Sequence, residues 1–239
     1  MIDKTLNPSW MLPAAHPNFN PSARLVRLEP ALVSRTGARC LDGSAGAFYF
    51  HPATSDASAS RLVVYLEGGG ECRTADECGA WRGGSGPSSR DFPPSKPLRH
   101  GELSADASVN PDMYDWAKLF LPYCSADMHS GTRTEPSAAL GGVYFAGHNL
   151  ITGSLEALRS LNDYTPPSLV LVTGSSAGGL GALLHADYFS AAWPAARVKV
   201  SPSAGFFYAG AHVAPLLALC SCEWFVLLSC ACACDLLIS

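Results

Sequence analysis

Charge is scarce in this 239-residue chain: 15% of its residues are Asp, Glu, Lys or Arg, and the 16 basic side chains are scattered without a run. A nucleic acid or an anionic membrane demands a concentrated basic patch. Neither is an expected partner, and the formal net charge of −4 agrees. Internal repeats are absent. No Gly-x-x-x-x-Gly-Lys-Ser/Thr pattern follows the glycine clusters, which removes a phosphate-cradling loop. Paired Cys-x2-Cys spacing is missing too: Cys72 and Cys78 have a zinc-like look, but no His or Cys pair completes them, so neither metal nor other cofactor is expected. At the start, Met1-Ile-Asp-Lys-Thr-Leu-Asn-Pro8 shows no charged stretch followed by an apolar one, and no signal peptide is visible.

What remains is apolar and alternating. At 48% hydrophobic residues the chain has enough material for one sizeable core. Residues 45–50, 62–66, 118–123, 169–172 and 198–200 read as strands, and the leucines at 150, 155, 158 and 161 form a helical stripe over 149–161. Residues 1–30 are Pro- and Asn-rich with little periodicity and read as an extended arm, while 81–110 is a long Gly/Ser/Pro-rich insertion of the sort that serves as a lid or loop. Alternation of strand and helix predicts an α/β fold with a doubly wound, mostly parallel sheet.

Two glycine clusters carry the chemistry. The apolar run Leu169–Val172 leads into Thr173-Gly174-Ser175-Ser176-Ala177-Gly178, and 180–188 continues as a helix. Such a strand, Gly-x-Ser-x-Gly turn and helix expose a serine hydroxyl on a sharp elbow, in which Gly174 and Gly178 have no room for side chains. Ser176 is the candidate nucleophile. The N–H of Ala177, at the helix start, faces the place where an acyl oxyanion forms. A second apolar strand, Leu62–Leu66, runs into Gly68-Gly69-Gly70, whose bare backbone suits the remaining oxyanion donors, with Gly69 and Gly70 the candidates.

Four segments in register, Cys40-Leu-Asp-Gly-Ser44, Leu66-Glu-Gly-Gly-Gly-Glu-Cys72, Leu121-Pro-Tyr-Cys124-Ser and Thr173-Gly-Ser-Ser-Ala-Gly-Gly179, resemble those of the pectin acetylesterases and the related Notum carboxylesterases, from about Cys40 to Phe207. The resemblance implies a secreted α/β-hydrolase-type serine esterase that removes O-acyl groups, acetyl among them, from a cell-wall polysaccharide such as pectin, or acts on an acylated protein; a monomer is expected. It also implies Cys72 paired with Cys78 and Cys40 with Cys124; cysteine arithmetic alone leaves three pairings open. Two positions depart from the family pattern: Glu71 stands where plant members usually carry Trp, and Ala146 where members usually carry Arg.

A serine hydrolase of this type needs an acid and then a histidine after the nucleophile. After Ser176 the acids are Asp187, Glu223 and Asp235, and the histidines are His185 and His212. His185 and Asp187 follow on the same helix and point away, and the resemblance puts the family's pair beyond Ser239. The expectation is therefore a partial hydrolase domain over 1–210, incomplete at its C-terminal sheet edge, and an apolar, Cys-rich tail over 211–239 foreign to the family, read as translated non-coding sequence. Glu223 and Asp235 interrupt that tail and no basic flank marks it, so no membrane span is expected. A catalytically incomplete remnant that acts as a binding module is the alternative function.

Overall fold

The serine turn and the glycine loop lie at the ends of neighbouring strands, and the sheet explains why. The computed structural model describes residues 21–84, 88–98 and 101–205. Seven strands, β1 (Ser22–Arg27), β2 (Ala47–His51), β3 (Arg61–Leu66), β4 (Ser95–Pro97), β5 (Ala117–Leu121), β6 (Leu169–Ser175) and β7 (Arg197–Ser203), form one sheet in the order β4-β1-β2-β5-β3-β6-β7. β5, β3, β6 and β7 are mutually parallel, and β2, β1 and β4 add antiparallel pairs. Only β2 and β4 run against the rest, so the sheet is mostly parallel in strand direction.

Strand alternation assigns the two faces. Phe48 and Phe50, Leu62, Val64 and Leu66, Leu119 and Leu121, and Val170 and Val172 point to one side. There they meet α1 (Pro30–Thr36), α3 (Gly147–Arg159), α4 (Ala177–Leu184) and α5 (Ala186–Ala192), which contribute Val33, Ile151, Leu155, Ala182 and Phe189. Tyr49, Tyr65 and Phe120 point to the other side and pack against Phe92, Leu98, Leu103 and Ala105. The described residues 88–98 and 101–105 of the insertion thus cover the second face, as 3-10 turns and the short β4 rather than as free loop. α2 (Ala75–Arg82) opens on a capping box between Thr74 and Glu77.

Part of the expected N-terminal arm is a strand. β1 pairs with both β2 and β4, and Ala23 and Leu25 alternate onto the second face while Val26 packs on the first. The helix after the serine also differs from expectation, starting at Ala177 and breaking at His185 into α4 and α5. The tail at 211–239, and with it the boundary at 210, lies outside the described residues.

Candidate active site

β3 and β6 are adjacent and parallel, with Leu66 opposite Gly174. Two residues further along each strand stand Gly68 and Ser176, so register alone brings the glycine loop level with the serine. After β3 the chain continues to β4 and then β5, both on one side of it, and after β6 it continues to β7 on the other. A crevice opens at the carboxyl ends of strands where connections diverge in this way, and open α/β sheets bind ligands there.

Ser176 has φ 54° and ψ −122°, a backbone conformation that side-chain-bearing residues rarely adopt. Its N–H is held by Ser203 O at 3.1 Å, and its carbonyl accepts from Leu180 N–H as α4 begins. Ala177 is the first residue of α4, in the turn whose amides lack intrahelical acceptors. The glycines are required by close approach: a Cβ on Gly178 would collide with the Leu66 carbonyl, and one on Gly174 would stand 2.6 Å from it. A Cβ on Gly68 would lie 3.2 Å from Ser176 Cβ, which is how near the two loops come.

Between them is a cavity of about 450 Å³ lined by Tyr65, Glu67, Gly68, Gly69, Leu103 and Ser176, among others. Tyr65 stacks on Phe120 with ring centroids 5.5 Å apart, and Lys96 Nζ sits over that Phe120 ring and 3.5 Å from Glu67 Oε1. Glu71 turns outward: it is exposed and pairs with Arg73 at 3.3 Å, so it brings no carboxylate to the serine. Ala146 is fully buried at the start of α3.

The histidines are engaged elsewhere. His185 Nδ1–H donates to Gly181 O at 2.8 Å, and its Nε2 lies 3.0 Å from His148 Nδ1 in a stacked pair. Burial pulls both below the ordinary histidine value. His129 is buried, its Nε2–H donates to Glu67 O at 2.9 Å, and desolvation lowers it to about 4. Asp187 is exposed on α5. Among the described residues the serine cavity is lined by two carboxylates, Glu67 and Glu102, and by no histidine; His212, Glu223 and Asp235 lie outside the described residues.

Cys40 is bonded to Cys124 and Cys72 to Cys78, the pairing that the resemblance implies. The described residues hold no cluster of three metal-ligating side chains, and no described helix is long and apolar enough to cross a membrane.

Four residues around the glycine loop went unnoticed at the level of sequence: Glu67, Tyr123, Asp127 and His129. Glu67 Oε2 accepts from Tyr123 N–H at 3.0 Å, and Tyr123 Oη–H donates to Gly70 O at 2.7 Å. Asp127 accepts from Ser125 Oγ–H, from Gly131 N–H at 3.1 Å and from Gly147 N–H at 2.9 Å, so its carboxylate caps α3. Burial pushes the Asp127 carboxyl up, against those donors, which pull it down. Their signal was polar side chains inside or next to otherwise apolar strand ends.

A strained serine on a strand–helix turn, level with a glycine loop at the carboxyl edge of a parallel sheet, defines a hydrolase of the α/β type. The comparisons agree. Residues 23–215 match the family model described as Pectinacetylesterase, and the chain belongs to that family. It is 35% identical over 196 residues to pectin acetylesterase 5 of Arabidopsis thaliana, covering 81% of this chain and 45% of that protein. It is 33% identical over 153 residues to the palmitoleoyl-protein carboxylesterase NOTUM of Schmidtea mediterranea, covering 64% and 28%. The Wnt deacylase Notum from Drosophila superposes with a TM-score of 0.64 at 27% identity, over 76% of this chain and 52% of that one. The chain thus spans less than half the length of these curated relatives.

Proposed function

We propose that this chain acts in a serine carboxylesterase that removes O-acyl groups, acetyl in particular, from a cell-wall polysaccharide such as pectin, outside the cell. The observation that carries the reading is Ser176 in its strained conformation beside the glycine loop. Ser176 Oγ attacks the ester carbonyl, and the oxyanion takes hydrogen bonds from the N–H groups of Ala177, Gly69 and Gly70. Collapse expels the sugar oxygen, which takes the proton that left Ser176 and becomes a hydroxyl, and leaves an acyl-enzyme; water then attacks and releases the acid. A base must accept the Ser176 proton, and in this reading it and its acid partner lie outside the described residues. Two disulfides suit an oxidising, extracellular compartment. The domain extends to about residue 210, with 211–239 a separate tail.

A second reading, a binding module without turnover, is favoured by the commitment of His129, His148 and His185 to other partners. Removing one member of such a triad leaves only about 10³- to 10⁴-fold acceleration over water. Mass spectrometry after incubation with p-nitrophenyl acetate tests both. The esterase reading expects one acetyl group on Ser176, absent from Ser176→Ala. Identical spectra for the two proteins would leave the binding module standing.

A further inference from the structure

A loop of three glycines is the least self-organised stretch a backbone can offer. Oxyanion donors nevertheless act only when they are aimed before the reaction. Something outside Gly68–Gly70 has to aim them, and the contacts beneath the loop show what.

We infer that Tyr123 and His129 are positioning residues for the oxyanion loop, clamping the carbonyls at its two ends so that the peptides between them, which carry the Gly69 and Gly70 N–H groups, are held in place beside Ser176; the inference rests on reading Gly69 and Gly70 as oxyanion donors. At one end His129 Nε2–H donates to Glu67 O at 2.9 Å, and at the other Tyr123 Oη–H donates to Gly70 O at 2.7 Å. A trans peptide is a rigid plane, so holding its carbonyl also fixes the following N–H. With the carbonyls of 67 and 70 held, the 67–68 and 70–71 peptides are fixed, and the two peptides between them, which carry the N–H groups of 69 and 70, are confined between fixed ends. The middle of the loop rests on the tyrosine ring: a Cβ on Gly69 would collide with Tyr123 Cδ1. Gly70 leans on Trp81, which meets Tyr123 edge-on at 6.1 Å.

The clamp itself is rigid. Both side chains are buried, at 4% and 2% exposure, with ring centroids 4.9 Å apart. Tyr123 Oη also accepts from Met128 N–H at 2.8 Å, so the hydroxyl has its direction set. The segment that delivers them is strained: Ala126, Met128 and His129 have φ of 52°, 58° and 62°. Non-glycine residues persist in that region only where their surroundings over-determine them, and such residues gather at functional sites. Here the surroundings are the Asp127 carboxylate with its three donors and the Cys40–Cys124 bond. Desolvation keeps His129 neutral to about pH 4, so Nε2–H remains a simple donor to the carbonyl. An ordinary core pair would satisfy two carbonyls as well; what sets this pair apart is that the two carbonyls bracket the donor loop.

The experiment uses the 239-residue chain carrying Tyr123→Phe, His129→Leu or His129→Gln, the last of which keeps an N–H donor. Hydrogen–deuterium exchange of the peptide over 67–72 reads the loop directly. Acetylation of Ser176 by p-nitrophenyl acetate, separated into maximal rate and half-saturation, reads its consequence. Losing one such hydrogen bond should speed loop exchange about tenfold, with β3 and β6 unchanged, and lower the maximal acetylation rate by about as much at constant half-saturation. His129→Gln should recover most of both. Unchanged loop exchange in Tyr123→Phe and His129→Leu overturns the clamp, as does a rate loss that only follows the unfolded fraction. If the parent chain takes no acetyl group, the esterase reading fails and loop exchange alone decides the clamp.

Discussion

At the scale of single residues, Ser176 holds two conflicting properties. Its φ of 54° suits glycine, yet its hydroxyl is what the proposed chemistry needs. Strain of this sort costs about 1–3 kcal/mol and is tolerated when the surroundings enforce it. Ser176→Gly should therefore raise stability by about 1 kcal/mol and the melting temperature by about 2–4 °C, while removing acetylation altogether. Calorimetry of the two proteins checks this, and a lower melting temperature for the glycine variant would contradict it. Glu71 carries the opposite lesson. In sequence it is an acid next to the glycine loop, and only the fold shows it turned outward to Arg73.

Among elements, the polar residues buried beside the strands make the fold sensitive to acid. His51 on β2 and His129 after β5 are each lowered by burial to about 4, from an ordinary 6.5. Between those values the unfolded chain binds protons that the folded chain refuses, so stability present above 6.5 is lost as pH falls toward 4. The full shift is worth roughly 3 kcal/mol per histidine. Urea midpoints should fall steadily across that interval, and His129→Gln should flatten the dependence by about half; a flat parent profile would rule the assignment out. Lys118 on β5 illustrates the same economy. It is fully buried, and its Nζ donates to Met113 O, Tyr114 O and Trp116 O, tying the turn before β5 to the strand.

For the whole molecule, the two disulfides differ mainly in what they close. Cys40–Cys124 spans 84 residues and joins the segment before β2 to the end of β5, whereas Cys72–Cys78 spans 6 and brackets the start of α2. Loop-closure entropy makes the first worth about 4.6 kcal/mol and the second about 2.2 kcal/mol. Replacing Cys40 and Cys124 by alanine should thus lower the unfolding free energy by about 2 kcal/mol more than replacing Cys72 and Cys78. It should also loosen the strained 126–129 segment, seen as faster amide exchange there. Equal losses for the two double variants would mean that the unfolded chain is already compact between residues 40 and 124.

Local patterns were enough for the parts of this protein that depend on neighbours in sequence. Apolar β-rich runs specify β3, β5 and β6, and Gly-x-Ser-x-Gly after such a run specifies the elbow, because a turn that tight excludes side chains wherever it occurs. The helix stripe at 150–161 likewise marks α3, although its start at Gly147 is set by a carboxylate 20 residues earlier, on Asp127. Tertiary structure decided everything that depends on distant partners. β1 became a strand because β2 and β4 stood ready to pair with it, and six residues are too few for their alternation to announce that. His185 was consigned to His148 by the packing of α3 against the junction of α4 and α5, where Tyr188 also meets His148 and Thr152. Tyr123 and His129 came to lie under Gly68–Gly70 because parallel register aligns the ends of β3 and β5, with Leu66 opposite Leu121. A hydrogen bond across 50 or 60 residues leaves no mark on local composition, since either partner alone is an ordinary buried side chain.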